Sequence, residues 1–126
     1  MKRLYIAVAI LCAIFASTLY NAYYLSGFTS ELSALLERAE ARAEGGDWSA
    51  SRRLTDQAYS FWKSHTLYLH IFLRHGDTDD VEIGFQEVGE YLQAEEHGEY
   101  SAANARLVAE IGLLYEAEQL SVKNVL

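Results

Sequence analysis

LYIAVAILCAIFASTLYNAYYLSGF, residues 4–28, decides how the rest of this 126-residue chain is read, because no side chain in it carries a formal charge. A helix rises about 1.5 Å per residue and the hydrocarbon core of a bilayer is roughly 30 Å thick, so about 20 apolar residues cross it. Residues 4–25 meet that length, and the sequence predicts a single transmembrane helix. Lys2 and Arg3 stand before it and the first charge after it is Glu31. The basic flank is the one retained inside, which predicts a cell-membrane protein with a cytoplasmic N-terminus and an extracytoplasmic C-terminal domain. Tyr20, Tyr23, Tyr24 and Phe28 crowd the outer end and Tyr5 marks the inner one, as amphipathic rings favour the headgroup layer. Asn21 lies within a turn or so of the outer boundary, where solvation is accessible.

A cleaved signal peptide is the rival reading, since a short basic start before an apolar run describes that class too. Its cleavage signal is poor: Ala16, Ser17 and Ala22 lack properly spaced small partners. Cys12 follows the large Leu11, which argues against a lipid-modified cysteine, and a single cysteine offers no disulfide.

All 18 acidic residues and 8 of the 10 basic ones lie from Glu31 onward, a formal charge of −10. Nucleic acid and anionic lipid surfaces need positive patches, so this balance disfavours both as partners. The chain has no proline and no long alternation of β-branched and polar residues, which favours an all-helical fold.

Apolar positions set out four helices. Phe28, Leu32, Leu35, Leu36, Ala39 and Ala43 form one stripe, so helix one runs on from the span, with Gly27 as its hinge candidate. Gly45 and Gly46 stop it and Asp47 caps helix two. That helix carries Trp48, Ala58, Trp62, His65, Leu69 and Phe72 and is expected to stop at Gly76. Thr78 or Asp77 opens helix three, with Val81, Phe85, Val88, Tyr91 and Leu92 as its stripe and His97 with Gly98 as its end. Helix four carries Tyr100, Ala103, Leu107, Ile111 and Leu114 and fades near Glu118.

The hairpin corners echo each other. Gly46-Asp47-Trp48-Ser49-Ala50 and Gly98-Glu99-Tyr100-Ser101-Ala102 match at an offset of 52, which also pairs Leu36 with Val88 and Ala39 with Tyr91. Two related hairpins predict an antiparallel four-helix bundle in which Trp48 and Tyr100 are equivalent corner anchors, with Trp62 as a further structural anchor.

Chemistry is harder to find. His65, His70 and His75 lie five apart, about 500° on a helix, so successive rings diverge by about 140° and cannot share a ligand face. No zinc, di-iron or cysteine-pair spacing occurs. The run from Asp77 to Glu82 has Glu82 where a calcium loop needs glycine. No serine stands in a Gly-x-Ser-x-Gly turn and no glycine-rich phosphate loop occurs. The sequence therefore predicts no catalytic residue, metal or cofactor. Across the junction of helices two and three, His70 and His75 are candidates to pair with Asp79, Asp80 or Glu87, and these five define the expected interaction surface.

The Met-Lys-Arg start, the single span, the acidic-Trp corner, Trp62, His70, the segment from Phe72 to His75 and the closing Ser121-x-x-Asn124-x-Leu126 together resemble an uncharacterised family. Its members are short single-pass proteins of Gram-positive, largely spore-forming bacteria, known as a domain of unknown function. The resemblance implies a helical extracytoplasmic domain working alongside another membrane protein, and implies no catalytic residues.

The expected organisation is therefore a cytoplasmic start and anchor over residues 1–27, a helical bundle over 28–120 and a short tail over 121–126. The expected function is that of a non-enzymatic, membrane-anchored interaction or scaffold protein with a protein partner at the membrane. The alternative is a small-ligand or cation sensor built on the corner of His75 and the acids after it.

Overall fold

The structure, a computed structural model, describes residues 1–65 and 75–125. Four helices account for nearly all of them: α1 over Lys2–Glu44, α2 over Trp48–Ser64, α3 over His75–Ala94 and α4 over His97–Val125. The fold is all-α, as expected. α1 is one unbroken helix of 43 residues, about 64 Å long. It passes straight through Gly27, where an added Cβ would meet nothing within 4 Å. The residue expected as a hinge is thus an ordinary helical position.

Both outgoing helices end on the same device. Gly46 takes φ +83° after α1, while the Gly46 and Asp47 amides donate back to the carbonyls of Ala43 and Arg42. After α3 the left-handed residue is Glu95, at φ +54°, and the Glu95 and Glu96 amides donate to Leu92 and Tyr91. These are Schellman closures, which satisfy carbonyls that a helix end would otherwise leave open. Asp47 then caps α2, its Oδ1 accepting from the Ala50 amide at 3.1 Å.

Several boundaries differ from the sequence reading. α2 ends at Ser64, and the expected anchors Leu69 and Phe72 lie outside the described residues. Its last turn closes locally, because Ser64 Oγ donates to the Phe61 carbonyl at 2.8 Å and the His65 amide reaches Trp62. Gly76 and Gly98, expected as stops, sit in the first turns of α3 and α4. α4 runs on to Val125, through residues set apart above as a tail.

α1 packs against α2 and α4, α3 packs against α4, and a lighter seam joins α2 to α3. The two corners lie at one end of the bundle, with the Trp48 ring 6.2 Å from His97 and 6.1 Å from Tyr100. Each hairpin therefore runs out to this far end and returns to the end where α1 leaves the bundle. The core follows the expected stripes: Leu32, Leu36 and Ala39 of α1 are wholly buried, as are Val81 and Val88 of α3 and Tyr100, Leu107 and Ile111 of α4. Burial also repeats at the offset of 52, in the pairs Thr29 and Val81, Leu36 and Val88, Thr55 and Leu107, and Trp62 and Leu114.

The first half of α1 has no such stripe. Leu4, Tyr5 and Ile6 are exposed, and so are Ile10, Leu11, Ile14 and Phe15, so apolar side chains point outward on every side. This half is long and apolar enough to cross a membrane, and none of it is buried against the bundle.

Candidate functional site

Where α1 leaves the bundle, its aromatic residues meet the end of α2. Successive helical turns place Tyr20, Tyr24 and Phe28 on one side of α1, and Phe61 and His65 arrive from α2 with the same four-residue spacing. The Phe28 ring stacks on Phe61 at 5.1 Å and lies 4.8 Å from His65, while Tyr24 stands 5.8 Å from His65. Beside these rings opens a cleft of about 520 Å³, also lined by Tyr23, Gly27 and Glu31. Tyr23 is 80% exposed, so the cleft has an unfilled aromatic lip.

His65 is the one histidine of the evenly spaced trio whose side chain is described. Its Nδ1 lies 2.9 Å from both Ser64 Oγ and the Phe61 carbonyl, so the imidazole and the hydroxyl together close the end of α2. A serine and a histidine in contact suggest nucleophilic chemistry, which needs an orienting acid on the ring. Among the described residues no carboxylate bonds to His65.

One turn further into the bundle, Glu82 of α3 collects three donors from α2. Tyr59 OH and Lys63 Nζ each stand 2.7 Å from Oε1, and Trp62 Nε1 donates to Oε2 at 2.9 Å. Burial alone would raise the Glu82 pKa, but Lys63, Tyr59 and Trp62 together hold it below the ordinary value. The Glu82 carboxylate in turn raises the pKa of Tyr59, with burial adding to it. This cluster stitches the lighter seam between the hairpins, and sequence reading missed it. Its signal was the buried Trp62, whose indole N–H requires an acceptor.

The five residues of the expected interaction surface are only partly gathered. His70 lies outside the described residues, as does the side chain of His75, which opens α3. Asp79 and Asp80 are exposed near the start of α3. Glu87, two turns beyond Asp80, pairs with Arg106 of α4 at 3.5 Å. Between them Glu110 of α4 reaches towards Gly84, and its pKa is raised by burial first, then by the charge of Asp80, with Arg106 opposing and Glu87 adding. The α3–α4 face thus joins Asp80 and Glu87 through an acid the sequence did not single out. No group of three or more histidine, cysteine or acidic residues with metal-binding geometry occurs among the described residues.

The corner anchors meet across the far end. Tyr100 is fully buried, Trp48 is half-buried against its edge, and Ser51 Oγ donates to Tyr100 OH at 3.3 Å. Trp62 is buried beside Phe28 and Phe85. Neither a curated protein nor a solved structure matches the chain. A family model does, beginning within α1 and covering the whole bundle: over residues 19–125 the chain belongs to the family described as a domain of unknown function, DUF4363.

Proposed function

We propose that this chain is a membrane-anchored interaction protein whose helical domain, on the extracytoplasmic side, binds a protein partner held at the same membrane. One observation carries this reading: a single helix is apolar on every side in its first half and forms a wall of the bundle in its second. Such a surface is at home in hydrocarbon and costs about 25 cal/mol per Å² in water, so the bilayer is its natural solvent. Lys2 and Arg3 orient the span, and the aromatic cleft then falls at the outer headgroup level. A partner at that level meets Tyr23 and the neighbouring rings.

The test is a photo-crosslinking residue at Tyr23 of the full-length protein in its native membrane, compared with the same residue at exposed Gln93 near the far end. The reading predicts a discrete protein adduct from position 23 that position 93 does not form. Lipid adducts alone from position 23, or recovery of the protein without its membrane after alkaline extraction, would contradict it.

A further inference from the structure

The far end of the first hairpin carries a second cleft of opposite character. It measures about 350 Å³ and runs between α1 and α2, lined by Arg38 and Arg42 on one side and Arg53 and Gln57 on the other, with Asp47 at its head. Three guanidiniums and one carboxylate give it a local excess of positive charge in a domain whose formal charge is −10.

Along α1 neither Arg38 nor Arg42 has an acid three or four residues away, whereas Arg53 of α2 has Asp56 at i+3. Arg38 and Arg42 are spaced i, i+4, the separation at which like charges destabilise a helix. The positions four before Arg38 and four after Arg42 are Ala34 and Gly46, so neither neighbour offsets them. The ion pairs formed among the described residues use Arg52, Lys63 and Arg106 instead. Asp47, the acid in the cleft, has its Oδ1 engaged by the Ala50 amide in capping α2. The start of α2 opens on the same space and adds the positive end of its dipole.

We propose that this cleft binds a phosphate oxyanion, held by Arg38, Arg42 and Arg53. The planar guanidinium offers paired N–H donors that match phosphate oxygens, which a lysine ammonium does not. Gln57 supplies a neutral donor at the lower end. Arg42 lies 17 residues beyond Leu25, about 26 Å along the helix, which is more than two Debye lengths at physiological salt. The headgroups around the anchor are thus out of reach, and the phosphate arrives free in solution or on an extended phosphodiester polymer. The sequence-level exclusion of extended polyanion surfaces stands for the domain as a whole, and this cleft is a local exception to it.

Calorimetric titration of the full-length protein in zwitterionic nanodiscs, at fixed ionic strength, tests this with inorganic phosphate, pyrophosphate and a short poly(glycerol phosphate). Saturable one-to-one binding is expected, with Arg42→Gln and Arg53→Gln each weakening it by about tenfold. Arg106→Gln, on the other hairpin, leaves it unchanged, and all three variants keep the parent helical signal. Tighter binding of the polymer per phosphate assigns the site to a chain-borne ligand, and tighter binding of pyrophosphate assigns it to a soluble one. Unsaturable heats, equal binding of succinate, or an equal loss in Arg106→Gln would overturn the proposal.

Discussion

The two hairpins share a burial plan but fill it differently. Where the first places Leu32 in the core, the second has Gly84, and where the first has Ala58, the second has the acid Glu110. The first closes its corner with glycine at +83° and the second with glutamate at +54°. The first hairpin also continues, through α1, into an apolar stretch that has no counterpart among the described residues of the second. The repeated pattern specifies a bundle, while the departures from it give each half features of its own. The second hairpin trades side-chain volume for a close helix approach, and the first carries the long apolar segment, the aromatic cleft and the arginine cleft.

Forcing the first hairpin's residue on the second gives the largest expected effect. A Cβ at Gly84 would meet Leu107 Cδ1 at 2.8 Å and Glu110 Oε2 at 3.3 Å. Leu107 is fully buried and has little room to yield. Gly84→Leu is therefore expected to cost about 3 kcal/mol or more, read as a lower denaturation midpoint. A variant as stable as the parent would mean that α3 and α4 do not approach this closely.

Next comes the seam between the hairpins. Glu82→Gln keeps the shape but removes the charge that gathers Tyr59, Trp62 and Lys63. We expect a loss of about 2 kcal/mol at neutral pH. Because the folded Glu82 pKa is depressed, its contribution is present above the ordinary carboxylate value and is lost as pH falls through the depressed one. Parent and variant should converge in acid, and a pH-independent difference would refute the assignment.

Exchanging the corner residues should move stability in opposite directions. Gly46→Ala places a side chain on a left-handed backbone and is expected to cost about 1 kcal/mol. Glu95→Gly relieves the same conformation and is expected to gain about 0.5 kcal/mol. Its lost contact to Arg52, at 3.6 Å and exposed, subtracts little.

An effect as small as that of Glu95→Gly is expected at Glu110. Its raised pKa means that ionisation burdens the folded state as pH rises through the ordinary value to the raised one. Glu110→Gln should stabilise by about 0.5 kcal/mol at pH 7, and the gain should vanish in acid. A loss at neutral pH would show the carboxylate to be satisfied where it stands.

Particular residues show why the sequence revealed some of this and concealed the rest. Stripes such as Leu32, Leu36 and Ala39 were legible because helical periodicity states which positions share a face. Helix ends were less so, since Gly76 and Gly98 carry the residue type of a stop but lie within helices, whereas Glu95 makes the turn without it. A glycine permits the left-handed conformation without requiring it. Both clefts were hidden for another reason. Arg38 and Arg42 carry no signal along the sequence until α2 brings Arg53 across from them, and His65 read as core until Tyr24 and Phe28 proved to be its neighbours. Such groupings depend on how helices face one another, which periodicity within one helix does not encode.

The proposed membrane placement requires one helix to serve two solvents, lipid in its first half and protein core in its second. A nitroxide scan along α1 of the full-length protein in vesicles, read with oxygen and with an aqueous relaxant, addresses it directly. Oxygen access is expected at every position from 4 to 19, without helical periodicity. Beyond residue 25 aqueous access is expected at Glu31, Ala34 and Glu37, alternating with protection from both agents at Leu32, Leu36 and Ala39. Aqueous access throughout positions 4 to 19, or a periodic protection there like that of the second half, would contradict that placement.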